Sequence, residues 1–137
     1  MVSGEDITPA ITVLVADDNT ATRELIAEIC RHCGASVVER TNGIEAVDAF
    51  KKHQPDCSLL DFQMPEMDGL KAIAHIKALS PPARVFMVTQ YDSENLRQAA
   101  AEAGADGFVP KDCLHMLPDL LKAERVFRMF ALHGASK

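Results

Sequence analysis

Five side chains in this sequence are of the kinds that handle phosphoryl groups. They are Asp17 and Asp18 behind "VLVA", Asp61 behind "SLL", Thr89 closing "VFMVT", and Lys111 behind "GFVP". Each stands at the end of a short apolar run, where turn-forming residues take over. Clustered carboxylates repel one another and need compensation. A site with one or two carboxylates, a backbone carbonyl and waters suits Mg2+. A lysine ammonium is a point charge suited to phosphate oxygens, and a threonine hydroxyl adds a neutral donor. Together these groups describe phosphoryl transfer onto a carboxylate, with metal and lysine neutralising the transferring oxygens.

For that chemistry the five must meet, so the elements around them matter. Short apolar runs at Ile11–Ala16, Ser36–Arg40, Cys57–Leu60, Arg84–Thr89 and Gly107–Val109 alternate with helical patterns. The helices are expected near Thr20–His32, Gly43–Lys52, Gly69–Ala78 and Ser93–Ala103, with a last one within Leu114–Leu132. Gly34 stands where a helix C-terminus wants glycine, and Asn42 where an N-cap is wanted. Pro55 and Pro81-Pro82 stop the second and third helices, and Gly104 closes the fourth. Strands alternating with helices imply a parallel sheet covered on both faces. In such sheets functional residues gather beyond the carboxyl ends of the strands. If strands one, three, four and five are neighbours at that edge, the five side chains converge.

The composition sets outer bounds. The 137 residues fit one domain, and 47% hydrophobic with 25% charged residues fits a globular chain with a sizeable core. A formal net charge of -6 argues against nonspecific nucleic-acid binding. No apolar run reaches the length of a membrane span, and the polar, acidic start is unlike a secretory signal. A cytoplasmic setting is therefore expected. Residues 1–10 read as a flexible leader, 11–132 as the domain and 133–137 as a tail. Cys30 and Cys33 form a C-x-x-C, but they close an amphipathic helix and no second pair supplies further zinc ligands. Cys57 reads as a small core residue. His53, His75 and His115 have no metal spacing and read as surface residues. Met64 and Met67 are expected to pack under the site.

The order, spacing and strand-end placement of Asp17-Asp18, Asp61 in "LLDFQMPEMDGL", Thr89 in "VFMVTQ" and Lys111 in "GADGFVPKD" resemble the receiver domain of bacterial two-component response regulators. The resemblance runs from about Ile11 to Val126. It implies a flavodoxin-like, doubly wound α/β fold: a five-stranded parallel sheet of order 2-1-3-4-5 with helices on both faces. It implies that Asp61 accepts a phosphoryl group from a sensor histidine kinase or a histidine phosphotransfer protein. Asp18, Asp61 and the backbone carbonyl of Gln63 would hold Mg2+, with Asp17 acting through water. Thr89 and Lys111 would grip phosphoryl oxygens. Movement of Thr89 would let Phe108 turn inward and change the surface of the fourth helix, fifth strand and fifth helix, where a downstream protein binds. Such a domain is a switch and not an enzyme, beyond its own phosphoryl transfer and slow hydrolysis.

The chain departs from the pattern at named places. Gln90 follows Thr89 where a small residue is usual, and Tyr91 comes next. Gln63 and Tyr91 would flank an attacking water, so Gln63, Gln90 and Tyr91 are modulators of the site. Phe108 replaces the usual tyrosine. Asp112, not proline, follows Lys111, while Pro110 suits an edge strand. Two alternatives stand beside the switch. A pseudo-receiver would bind proteins without taking phosphate, which Gln90 would suit. An aspartate-nucleophile phosphatase of the haloacid dehalogenase kind needs a second acid two residues on, and Gln63 stands there. In the last helix, Leu117, Leu120 and Leu121 suit a core stripe. Phe127 and Phe130 share a face with Leu120 and Ala123 and are expected on the sheet, with Val126 and Met129 about 100° away. The surplus of apolar residues is expected to serve either packing or self-association, as in a homodimer through this helix.

Overall fold

The computed structural model describes residues 10–134. The leader expected over residues 1–10 falls almost wholly outside them. Five strands alternate with five helices: β1 Thr12–Ala16, α1 Thr20–His32, β2 Ser36–Arg40, α2 Gly43–His53, β3 Cys57–Leu60, α3 Gly69–Leu79, β4 Val85–Thr89, α4 Glu94–Ala103, β5 Gly107–Pro110 and α5 Leu117–Gly134. A 3-10 turn, Lys111–Met116, joins β5 to α5. The strands form one parallel sheet in the order β2-β1-β3-β4-β5.

The central strands β3 and β4 are buried at every position, which is why their sequences lack alternation. Leu14, Leu60, Val85 and Met87 face one way and pack on Phe50 of α2, Ile73 and Ile76 of α3, and Leu96 of α4. Val13, Val15, Leu59, Phe86, Val88 and Val109 face the other way, onto Ile26 and Cys30 of α1 and Leu117 and Leu121 of α5. The sheet is therefore covered on both faces, as the alternation of elements requires.

The punctuation works as expected, with one shift. Asn42 accepts a hydrogen bond from the Glu45 backbone N–H, and Gly34 takes a positive φ of 87° just past α1. Ser93, expected as helical, instead caps α4: its hydroxyl accepts from the Leu96 N–H at 3.1 Å. Pro110 ends the edge strand β5, where a missing N–H is tolerated. Pro118 lies in the first turn of α5.

Helix α5 departs from its expected orientation. Leu117 and Leu121 are buried, but the stripe continues through Glu124, only 5% exposed, rather than through Phe127 and Phe130. Those two rings are 46% and 69% exposed, and Ala123 beside them is exposed as well. Leu120 and Met129 are half-buried, and Val126 is exposed. The cause is a set of charges at the amino ends of β3 and β4. Glu124 accepts two hydrogen bonds from Arg84, at 3.0 and 3.1 Å, and Arg128 pairs with Asp56. A polar face of α5 is thereby drawn inward. The helix also runs on to Gly134, past the expected limit at residue 132.

Candidate functional site

In the parallel register Ala16 lies beside Leu60, and Leu60 beside Met87. The next residues of β1 and β3 are Asp17 and Asp61, so the sheet sets both carboxylates at one edge. The Asp61 N–H donates to the Ala16 carbonyl at 3.0 Å, holding the two strand ends together. Backbone crowding behind Asp61 requires glycine: a Cβ on Gly69 would stand 2.1 Å from the Asp61 carbonyl oxygen. The Gly69 N–H donates to the Phe62 carbonyl at 2.7 Å. The loop after β3 is therefore folded tightly against the strand end, and the side chain of Asp61 has little freedom. Asn19 caps α1 by accepting from the Thr22 N–H. Asp17 Oδ1 accepts from the Asn19 N–H at 2.9 Å, and Arg23 donates to the Asp17 carbonyl.

The expected residues meet. One carboxylate oxygen each of Asp17, Asp18 and Asp61 lie within 4.8 Å of one another. Lys111 Nζ stands 2.7 Å from Asp17 Oδ2 and 3.1 Å from Asp61 Oδ2. Lys111 thus pairs with a buried oxygen of Asp17 as well as with Asp61. Asp17 is 1% exposed, Asp61 6% and Thr89 fully buried, whereas Asp18 opens to solvent. Burial and the neighbouring Asp17 charge push the Asp61 carboxyl above the usual carboxylate range. The Thr89 hydroxyl and the Lys111 ammonium pull it down without cancelling that rise. Burial works against the Lys111 ammonium, but the two carboxylates outweigh it and its pKa is raised. Two of the three clustered acids share one lysine. A hard divalent cation fits the remaining deficit, because the donors are all oxygen and three carboxylates converge where one ammonium stands.

A family model described as the response regulator receiver domain matches residues 13–123. The chain belongs to that family. It is 37% identical over 100 residues to the chemotaxis protein CheY of Bacillus subtilis, covering 72% of this chain and 83% of that one. It is 34% identical over 124 residues to a cyclic di-GMP phosphodiesterase of Thermotoga maritima, covering 88% of this chain but only 33% of that protein. Among solved structures it resembles a two-component response regulator of the LuxR family from Aurantimonas, with a TM-score of 0.79 at 26% identity over 86% of each chain. Membership places the chain in two-component signalling, where phosphorylation and Mg2+ are typical. Among the described residues, no helix is long and apolar enough to cross a membrane.

Gln90 and Tyr91, where this receiver departs from its family's pattern, stand at the site. A cavity of about 170 Å³ over Asp61 is lined by Asp18, Asn19, Thr22, Gln63, Gln90, Tyr91 and Lys111. Gln90 is exposed and lines this cavity. The Tyr91 hydroxyl donates to Gln63 Oε1 at 2.8 Å, and its ring meets Phe62 edge-on at 6.2 Å. Sequence reasoning placed Gln63 and Tyr91 beside the site without foreseeing that they bond to each other. Phe108 is half-buried against the α2–α4 side of the core. Its ring carries the Arg97 guanidinium at 4.5 Å, and Asp92 holds that guanidinium through two hydrogen bonds. Nothing in the spacing marked Arg97, because its partner lies on a different element. Met64 is buried, Met67 half-buried, and His53, His75 and His115 are exposed. All four cysteines are free; burial pushes the Cys30 thiol up to about 12.

Proposed function

We propose that this receiver is a phosphoacceptor switch in which Asp61 takes a phosphoryl group from a phosphohistidine. The donor is a sensor histidine kinase or a histidine phosphotransfer protein. The observation that carries this reading is the cluster of Asp17, Asp18 and Asp61 around Lys111, with Asp18, Asp61 and Lys111 lining an open cavity and Asp17 and Thr89 buried behind it. A carboxylate oxygen of Asp61 attacks phosphorus. The O–P bond forms as the P–N bond breaks, and the electron pair stays on the imidazole nitrogen. Asp18, Asp61 and the backbone carbonyl of Gln63 would hold Mg2+, with Asp17 acting through water. When bound, the ion offsets negative charge on the transferring oxygens. Lys111 and Thr89 hold the remaining phosphoryl oxygens, and drawing Thr89 toward them biases Phe108 and the α4–β5–α5 surface that a downstream protein reads. The chain acts on itself only, through this transfer and slow hydrolysis of the aspartyl phosphate. The exposed rings of Phe127 and Phe130 support self-association through α5, which sedimentation with and without beryllofluoride and Mg2+ would measure.

The test is phosphorylation by acetyl phosphate with Mg2+, read by intact mass and peptide mapping. One phosphoryl group on Asp61, lost in Asp61→Asn, is the expected result. Label at unchanged stoichiometry on the Asn variant would overturn the assignment.

A further inference from the structure

Arg23 stands behind the acid pair, in the first turn of α1, and only 13% of its side chain is exposed. A guanidinium at that depth needs partners. It has two, of different kinds. Its Nε donates to Glu39 Oε1 on β2 at 3.1 Å, and its Nη1 donates to the Asp17 carbonyl at 3.0 Å. Glu39 is braced from outside, because its other oxygen accepts from Arg31, in the last turn of α1, at 3.0 Å. The Asp17 carbonyl belongs to the peptide that carries Asp18. Asp17 is held on three sides: its N–H donates to the Arg40 carbonyl, its Oδ1 accepts from the Asn19 N–H, and Arg23 holds its carbonyl. Asp18 by contrast is exposed, so the place of its carboxylate depends on the backbone beneath it.

We propose that Arg23 is a positioning residue for the cation: by holding the Asp17–Asp18 peptide, it aims the Asp18 carboxylate at the space shared with Asp61. This rests on the reading above, in which Asp18 and Asp61 hold Mg2+. Arg23 is not among the residues that line the cavity over Asp61, and it acts only through the backbone. Glu39 supplies its countercharge. The guanidinium therefore meets the site through a neutral carbonyl and does not compete with the cation for the carboxylates. Arg31 is the outermost brace, and its own side chain is 47% exposed. The chain of contacts runs from the surface of α1 through β2 to the acid pair, and each step is a charge-assisted hydrogen bond.

The sign of one change separates this role from that of a bare charge. A positive charge beside three acids repels a cation, so its removal alone would tighten Mg2+ binding. Loss of a positioning contact weakens it. Mg2+ titrations of the full chain, without phosphodonor, compare the parent with Arg23→Met, Arg23→Lys, Arg31→Met and Asp18→Ala. Arg23→Met keeps the apolar stem and should weaken Mg2+ binding about tenfold, the scale seen when a group that orients a metal ligand is lost. Arg23→Lys should recover part of this, since an ammonium still donates to the carbonyl but lacks the fork that also holds Glu39. Arg31→Met removes only the exposed brace and should weaken binding about twofold, in the same direction. In the metal-free protein the Asp18 amide resonance should shift in Arg23→Met and shift less in Arg23→Lys. Unchanged or tighter Mg2+ binding in Arg23→Met would overturn the positioning role, as would a lysine variant no better than the methionine one. Should Arg23→Met fail to fold, unchanged or tighter binding in Arg31→Met would overturn it. Parent-like Mg2+ binding in Asp18→Ala would instead overturn the reading of the metal site beneath it.

Discussion

Among the described residues, three carboxylates cluster at each end of the sheet, and the two ends treat them differently. At the carboxyl edge, Asp17 and Asp61 share the ammonium of Lys111, and Asp18 lies beside them. At the amino edge, Asp56, Asp106 and Glu124 meet Arg128, Lys77 and Arg84. There the acids also satisfy backbone donors: Asp56 accepts from the Thr12 N–H and Asp106 from the Val85 N–H, both at 2.8 Å. A cleft of about 240 Å³ opens at this amino edge, larger than the cavity over Asp61. Size does not make it the functional one, because most of its charged groups are spent on one another. Matched charge fixes structure, here the lower half of α5. Unmatched charge leaves a deficit that a cation and a phosphoryl group can fill.

The largest effect is expected at the matched end. Glu124→Ala leaves the Arg84 guanidinium without its bidentate partner, between the rings of Phe86 and Phe127. Urea unfolding should show a loss of about 2–4 kcal/mol, while the rate of Asp61 phosphorylation stays near that of the parent. A loss below about half a kcal/mol would mean that the amino edge is no better matched than an ordinary surface pair.

At the other end Lys111 supplies the opposing charge to Asp17 and Asp61. Lys111→Met, in EDTA, should cost about 1–2 kcal/mol by leaving Asp17 and Asp61 to repel each other. Adding Mg2+ should recover part of that loss, since the ion supplies the missing charge. Full stability without metal would show that the carboxylates are already relieved by solvent.

Asp61→Asn should do the reverse, raising stability by about 1 kcal/mol at neutral pH in EDTA. The sign follows from the direction of the shift. Asp61 titrates higher folded than unfolded, so the folded state binds a proton more readily there. Its contribution is intact below the unfolded carboxylate range and is lost as pH rises through the folded value. The advantage of the Asn variant should therefore be present at neutral pH and shrink on acidification. An advantage that grows on acidification would place the Asp61 pKa on the wrong side.

The contrast between the ends also explains what the sequence revealed and what it hid. Thr89 was legible because a parallel strand of known direction delivers its last residue to one edge. Asp17, Asp61 and Lys111 were legible for the same reason, each one residue past its strand. The inward turn of Glu124 and Arg128 was not. Periodicity sends polar residues outward, and it fails where the facing surface is itself charged. The partners Arg84 and Asp56 are 40 and 72 positions away in sequence, so no local pattern announced them. Phe127 and Phe130 were assigned to the sheet by the same rule and lie outside because that face of the helix was already taken. The Tyr91–Gln63 bridge was hidden in the same way, with its two loops named as neighbours but not as partners.

The smallest effect tests a charge that belongs to neither end. Arg97 and Asp92 are both well exposed, so their pair should count for little in the fold. Yet the same guanidinium covers the ring of Phe108, and Asp92 follows Tyr91 directly. Arg97→Met keeps the apolar stem and removes the charge. Its unfolding midpoint should match the parent within error. The Phe108 ring signals in NMR should shift nonetheless, because the ring loses a cation from its face. The response of those signals to beryllofluoride and Mg2+ should change in the same variant if Arg97 holds Phe108 in one of two positions. Unchanged ring signals in both conditions would make the stack an incidental surface contact, leaving Phe108 positioned by the α2–α4 side of the core alone.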